Sequence, residues 1–149
     1  AEAQLHKVID KYPNQASAQL LMGRALFEGQ KITRAKAALK SAIKLKPRDP
    51  DGYLVLTQLW LDQGKPDEAV KVIEELSAAL PGEPIGYKRL GIALAERNDH
   101  ARAEKLLQKA VERDPGDAEA WVALGQIFEA TARLQKSEDA YGKALERDP

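Results

Sequence analysis

The stretch AEAWVALGQIFEATARLQKSEDAYGKALERDP, residues 118–149, carries the pattern that decides the fold. Its first half holds four residues at positions i, i+3, i+4 and i+7, namely Trp121, Leu124, Gly125 and Phe128. That spacing places them on one face of an α-helix. A second stripe follows the break at residues 131–133 and ends at Pro149, because proline cannot continue a helix. The stretch therefore predicts two amphipathic helices joined by a tight turn.

The same pattern recurs along the whole chain with a period of 34 residues. Prolines mark the interval at Pro13, Pro47, Pro81, Pro115 and Pro149. A period of this length is typical of repeat proteins in which each unit packs on the next. Alignment on the prolines predicts four repeats behind one half-repeat, at residues 1–15, 16–49, 50–83, 84–117 and 118–149. The leading segment matches only the second helix of a repeat, so we expect a piece of a longer protein.

Small residues also recur at fixed registers, which favours closely packed helix pairs. Glycine stands at residues 23, 91 and 125 of the predicted first helices, and Thr57 replaces it in the second repeat. Between the two helices of a repeat, Gly64 and Asn98 share a register that tolerates a left-handed backbone. Ala132 holds that register in the fourth repeat, and we expect this turn to use a different geometry. Asp99 and Asp117 are predicted to cap the helices that follow them.

This pattern resembles the tetratricopeptide repeat family, whose formula is W-x2-L-G-x2-Y … A-x3-F … P. The fourth repeat carries it at Trp121, Leu124, Gly125, Phe128, Ser137, Tyr141, Ala144 and Pro149. The resemblance covers essentially the whole chain, with four consecutive matches at one spacing. It implies an all-α fold, a right-handed superhelical solenoid of antiparallel helix pairs, with about four repeats and one leading half-repeat helix.

Composition disfavours several functional classes. The 149 residues have a formal net charge of zero, whereas a generic nucleic-acid binder is usually strongly basic. No apolar run is long enough to span a membrane, so membrane insertion is not expected. The chain has no cysteine and two histidines, His6 and His100, too few ligands for a zinc site. The sequence therefore predicts no catalytic residue, no metal site and no cofactor, and it leaves the cellular compartment open.

Charge is unevenly distributed between the first two repeats. Residues 16–49 hold eight basic and two acidic residues, a net charge of +6. Residues 50–83 hold two basic and seven acidic residues, a net charge of −5. The simpler interpretation is a solvated outer surface on which neighbouring repeats attract each other. The alternative is a basic patch for an acidic partner, and nucleic-acid binding through the basic second helix of the first repeat is a more remote alternative.

The resemblance also implies a function. Proteins of this family are commonly non-catalytic interaction modules, scaffolds or adaptors, that bind a peptide or helix of a partner in a concave groove lined by first helices. Carried over by register, the groove residues are Leu20, Leu21, Arg24, Phe27, Leu54, Val55, Gln58, Leu61, Lys88, Arg89, Ile92, Val122 and Gln126. We expect a partner segment with apolar side chains and an acidic group near Arg24 or Arg89.

Three alternatives remain open at this stage. The groove leucines could pack between helices without binding anything. The array could assemble head-to-tail through open ends, with Tyr141 and Leu145 at the C-terminal face. It could also select substrates for an enzyme whose catalytic part lies outside these residues.

Overall fold

The computed structural model describes Lys7, Lys11 and residues 15–148. Residues 15–148 form eight α-helices and contain no β-strand. They are α1 (Ala16–Glu28), α2 (Ile32–Leu45), α3 (Pro50–Asp62), α4 (Pro66–Ala79), α5 (Ile85–Ala95), α6 (His100–Arg113), α7 (Ala118–Ala130) and α8 (Leu134–Leu145). The half-repeat predicted at residues 1–15 falls almost entirely outside the described residues.

The chain divides into two compact units, Ala1–Pro81 and Gly82–Pro149. The first unit contains α1 to α4 and the second contains α5 to α8. Within the first unit α1 packs on α2, α2 on α3 and α3 on α4, and α1 also contacts α3. The second unit repeats this arrangement, with α5 contacting both α6 and α7. In each unit the first helices of two successive repeats therefore lie side by side.

The core of each unit consists of branched apolar side chains at the predicted helical spacing. Its largest fully buried members are Leu39, Leu56, Leu59, Ile73 and Leu76 in the first unit, and Leu90, Leu94, Leu107, Leu124 and Ile127 in the second. Burial of such side chains contributes about 1.5–3 kcal/mol each, relative to leaving them exposed. Because every helix uses one stripe for this core, the opposite stripe remains available for solvent or partners.

Aspartate side chains begin several of the helices. Asp99 Oδ1 accepts a hydrogen bond of 3.3 Å from the Arg102 backbone N–H, and Asp117 Oδ1 accepts one of 3.1 Å from that of Ala120. These bonds satisfy backbone donors that have no partner within the helix. The predicted capping roles of Asp99 and Asp117 are confirmed.

The turn inside each repeat uses one left-handed residue, whatever its side chain. Positive φ angles of 59°, 66°, 61° and 58° occur at Gln30, Gly64, Asn98 and Ala132. The expectation of a different geometry at Ala132 is therefore wrong. In that turn the next backbone N–H, of Arg133, donates to the Phe128 carbonyl at 2.7 Å, a bond that recurs in the other three turns. This helix-ending hydrogen bond outweighs the conformational cost of a left-handed alanine.

Glycine allows the two helices of a repeat to approach closely. A Cβ atom added to Gly91 would lie 2.7 Å from Leu107 Cγ, and one added to Gly23 would lie 2.6 Å from Leu39. Real Cβ atoms do not approach other carbon atoms this closely, so a larger residue at Gly23 or Gly91 would require the facing leucine side chain or the helices to shift. In the second repeat Thr57 occupies this register, and its buried Oγ1 has no hydrogen-bond partner among the described residues.

Aromatic residues join successive repeats within each unit. Tyr53 Oη donates a 3.0 Å hydrogen bond to the carbonyl of Pro47, the proline that ends the preceding repeat. Trp121 Nε1 donates a bond of the same length to the carbonyl of Pro115. Each bond spans six residues and fixes the start of a first helix against the end of the previous repeat.

Candidate protein-binding face

The candidate site in the first unit lies on adjacent helices α1 and α3. We call the surface formed by Leu20, Leu21, Arg24, Leu54 and Val55 the first-helix face of this unit. Arg24 Nη2 on α1 lies 3.7 Å from Asp51 Oδ2 on α3, and both side chains are about half exposed. An ion pair so open to water contributes little free energy. It does show that the polar edge of the face spans both helices.

The leucines of this face are more exposed than those of the core. Leu21 is 55% exposed, and Leu20, Leu54 and Val55 are half-buried. Leu20 also lines a cleft of about 190 Å³ between α1, α2 and the start of α3, together with Ile43 and Gly52. An apolar surface beside a cleft suits the docking of another apolar side chain.

The remaining predicted residues of this unit differ in accessibility. Leu61 is only 6% exposed, so it belongs to the core and offers no contact to a partner. Phe27 is half-buried. Gln58 is exposed, and its Nε2 donates a 2.7 Å hydrogen bond to Asp62 Oδ1 one turn later. The accessible part of this face is thus concentrated in the first halves of α1 and α3.

In the second unit, Lys88 on α5 is already neutralised by carboxylates of the next repeat. Its Nζ lies 2.7 Å from Asp117 Oδ2 and 2.9 Å from Glu119 Oε2. Burial alone would lower the pKa of Lys88, but the hydrogen bonds to these two carboxylates raise it above its ordinary value. Lys88 therefore joins α5 to α7, and it is not a free cation for a partner.

Arg89, beside it, is exposed and has no ion-pair partner among the described residues. Ile92 is half-buried, Val122 is 38% exposed and Gln126 is exposed. These four residues form what we call the first-helix face of the second unit. It is smaller and more polar than the corresponding face of the first unit.

Sequence reasoning missed the long-range partners and a second cleft. Pairing of Lys88 with residues 29 and 31 positions later has no local signal, although a charge at an otherwise apolar register was a clue.

A cleft of about 370 Å³ in the second unit lies between α6, α7 and α8, with Trp121, Leu124 and Phe128 in its lining. Lysines cover its aromatic rings, since Lys143 Nζ lies 4.3 Å from the Trp121 ring centroid.

Other kinds of site find little support in the described part of the chain. No group of three or more His, Cys, Asp or Glu residues there could hold a metal ion. None of the described helices is long and apolar enough to cross a membrane.

Solved structures of low sequence identity share this fold. The crystal structure of MamA superposes with a TM-score of 0.73 at 20% identity, covering 97% of this chain and 84% of that one. MamA from Desulfovibrio magneticus RS-1 gives 0.70 at 22% identity, covering 97% and 81%. YrrB, described as a TPR protein with an unusual peptide-binding site, gives 0.66 at 18% identity, covering 99% and 76%. The fold class is an all-α helical-repeat solenoid, as expected.

Family sequence models agree with this fold. Two of them, both described as Tetratricopeptide repeat, match residues 26–90 and residues 88–149. The comparison with curated proteins gives no match. Together the two models span residues 26–149, which include only the last turn of α1 and all of the other seven helices. The chain therefore belongs to the tetratricopeptide repeat family.

Proposed function

We propose that this chain is a non-catalytic interaction module, a scaffold or adaptor, that holds a peptide or helix of a partner protein on its first-helix faces. The tetratricopeptide fold is in general a protein–protein interaction scaffold, and the proposal adds the binding surface and the mode of recognition. The observation that carries it is the exposure of Leu21 beside Leu20, Leu54 and Val55, next to a cleft.

The chemistry of this surface suggests the chemistry of the partner. Apolar side chains of the partner would contact Leu20, Leu54 and Val55 and remove apolar surface from water. An acidic group of the partner would approach Arg24 or the unpaired Arg89. The Arg24–Asp51 pair is long and solvated, so a partner carboxylate can replace Asp51 at little cost.

The likeness to YrrB supports peptide recognition, since that protein is described as having an unusual peptide-binding site. Binding of an extended or helical segment in a groove between helices is a recurring mode of peptide recognition. No residue of that site is carried over to this chain, because the two sequences are only 18% identical.

Paired affinity capture followed by titration tests the proposal. One bait is the chain as it stands, and the other carries Leu20→Glu and Leu54→Arg. A third bait carries Leu134→Glu, which changes a leucine on α8 outside the proposed face that is more exposed than Leu20 and Leu54. A protein retained by the first and third baits, but lost from the second, is then titrated as a purified segment by calorimetry.

We expect the Leu20→Glu/Leu54→Arg variant to lower the affinity for that segment more than about a hundredfold, because two apolar contacts are replaced by buried charges. Circular dichroism must show equal helicity in all three baits. Equal affinity of the folded double variant would contradict the proposal and assign the leucines to packing alone.

A second candidate function is head-to-tail self-association, which rests on the exposed end of α8. Leu145 is 65% exposed, whereas Val111, at the same register one repeat earlier, is only 7% exposed. A second copy could cover Leu145 and Tyr141 with its own leading helix. Sedimentation equilibrium from about 1 to 200 μM would show a rising mass that Leu145→Lys abolishes. A constant mass of 16.4 kDa over that range would remove this candidate.

A further inference from the structure

The strongest concentration of one charge lies around α2, and of its cations Lys46 also lines the cleft beside Leu20. Residues 31–48 contain seven basic residues and no acidic one: Lys31, Arg34, Lys36, Lys40, Lys44, Lys46 and Arg48. Three of the lysines, at positions 36, 40 and 44, are spaced by four residues and lie on one side of the helix. We call Lys40, Lys44, Lys46 and Arg48 the basic face.

The side chains of the basic face have no partner among the described residues. All four are exposed, and none makes a hydrogen bond or ion pair there. Lys36, next along the stripe, instead lies with its Nζ 4.4 Å from the ring centroid of Trp60. Several cations elsewhere are paired, as Lys71 with Glu68 and Lys88 with Asp117, although Arg89 has no ion-pair partner among the described residues. What distinguishes α2 and the turn after it is the clustering of four such cations within residues 40–48.

This arrangement works against the stability of the helix that carries it. Lysines four residues apart repel each other on a helix surface. The first turn of α2 contains no acidic residue, and the helix has no side-chain cap. The corresponding helix of the next repeat, α4, begins with Asp67 and Glu68, which suit the positive end of the helix dipole. A helix that departs from these charge preferences without gaining stability is expected where its surface has a function.

We propose that the basic face binds a short acidic segment of a partner protein, separately from the first-helix faces. Leu45 is 40% exposed among these cations and offers one apolar contact. Ala37 and Ser41 are also exposed on α2, and their small side chains let another backbone approach the lysines closely. Several weak charge pairs and one apolar contact suit a reversible interaction that depends on salt concentration.

The corresponding helix of the next repeat limits the size of the anion. Glu74 on α4 stands at the register of Lys40 on α2, and Glu75 stands beside it. Both glutamates are exposed, so the outer surface of the first unit changes sign from one repeat to the next. A nucleic acid or an anionic membrane would extend over both helices and meet repulsion at α4. A short acidic peptide can occupy α2 alone.

Fluorescence anisotropy with defined probes tests this inference on the full chain. The probes are a labelled peptide with six glutamates, its glutamine counterpart, a single-stranded oligonucleotide of about 20 nucleotides, and vesicles containing phosphatidylserine. The variant is Lys40→Glu/Lys44→Glu. Lys105→Glu, at an exposed lysine on α6, is the matched control, and Leu54→Arg tests independence from the first-helix face.

We expect the acidic peptide to bind in 50 mM NaCl and to be released by 500 mM NaCl, with the glutamine peptide inactive. Lys40→Glu/Lys44→Glu should lower the affinity for the acidic peptide more than about tenfold. Lys105→Glu and Leu54→Arg should each change this affinity less than about twofold. Glu74→Gln/Glu75→Gln removes the two negative charges on α4. This variant should bind the oligonucleotide more tightly than the unaltered chain does, and its affinity for the acidic peptide should be nearly unchanged.

Three results would overturn the inference. One is no binding of the acidic peptide at about 1 mM, the weak end of specific association. Another is an equal loss with Lys105→Glu, which would indicate general attraction of charge. The third is tighter binding of the oligonucleotide or the vesicles by the unaltered chain, which would assign the basic face to nucleic acid or to membrane surfaces.

Discussion

Arg133 and Glu104, twenty-nine residues apart, form a two-armed ion pair within the second unit. Arg133 Nη1 donates to Glu104 Oε1 at 3.0 Å, and Nη2 donates to Oε2 at 2.7 Å. The glutamate lies on α6 and the arginine in the turn before α8. Two parallel hydrogen bonds hold a guanidinium against a carboxylate with more directional precision than one lysine can provide. The pair therefore fixes the turn of one repeat on the second helix of the preceding one.

Stability of this unit should depend on pH through Glu104. The hydrogen bond from Arg133 lowers the pKa of Glu104 below its ordinary value, and the charge of Arg133 acts in the same direction. A carboxyl group with a lowered folded-state pKa stabilises the fold above its unfolded pKa, and this stabilisation is lost as pH falls through the folded value. We expect Glu104→Gln to lower the melting temperature at pH 7 by about 2 °C.

The difference between the two proteins should stay constant from pH 7 to about pH 4.5 and shrink between about pH 4.5 and pH 2, because the lowered pKa of Glu104 keeps the wild-type carboxylate ionised at higher pH. Thermal unfolding followed by circular dichroism across this range measures it. Glu112→Gln, at an exposed glutamate on the same helix, is the control. A deficit for Glu104→Gln that stays constant down to about pH 2 would contradict the assignment.

Two glycine-to-alanine changes in helices should have opposite effects. Gly91→Ala places a Cβ 2.7 Å from Leu107 Cγ and should destabilise the protein by about 1–3 kcal/mol. At Gly142 in α8 a Cβ would meet nothing within 4 Å. Gly142→Ala should therefore stabilise the helix by about 0.5–1 kcal/mol, since alanine loses less entropy on folding. Urea unfolding measures both changes, and the same sign for both would show that the close helix contact is unimportant.

The left-handed turn residues allow a second matched test. Ala132→Gly should stabilise the protein by about 1 kcal/mol, because alanine at a φ of 58° carries strain that glycine avoids. Gly64→Ala, at the same register with a φ of 66°, should destabilise it by a similar amount. The measurement is the midpoint of urea unfolding. If Gly64→Ala were neutral, strain at this register would be negligible.

Thr57 offers a further stabilising substitution. Its Oγ1 is buried without a hydrogen-bond partner in the part of the chain that the structure describes, and valine has the same shape without the hydroxyl. We expect Thr57→Val to stabilise the protein by about 1 kcal/mol. Thr131 Oγ1, in contrast, donates to the Ile127 carbonyl at 2.7 Å, so Thr131→Val should be destabilising. Calorimetric unfolding measures the stability of both variants. A loss of stability with Thr57→Val would indicate that the hydroxyl makes a hydrogen bond in solution.

The repeated pattern made the helices and the family predictable, because helical spacing and proline punctuation are local properties of the chain. The capping roles of Asp99 and Asp117 were predictable for the same reason. Partners of Lys88 and Arg133 were not, since they come from the next or the preceding repeat. The left-handed backbone at Ala132 was mispredicted because the turn's hydrogen bonds outweigh the preference of one residue.

The candidate face was predicted by register alone, and register does not give accessibility. Leu61 and Leu54 lie seven residues apart on α3, yet Leu61 is buried and Leu54 is half-exposed. Burial depends on how much of each helix end the neighbouring repeat covers, which no pattern within one helix records. The binding role of the face remains a prediction.

The hydrogen bonds from Tyr53 to the Pro47 carbonyl and from Trp121 to the Pro115 carbonyl bear on how strongly a partner is held. Each aromatic side chain links the start of one repeat to the end of the preceding repeat. This link restrains the angle between their first helices before any partner binds. A preorganised surface loses less conformational entropy on association than one that must be assembled by the ligand. If the first-helix faces bind a segment as proposed, the residues that end one repeat and begin the next would contribute to its affinity without touching it.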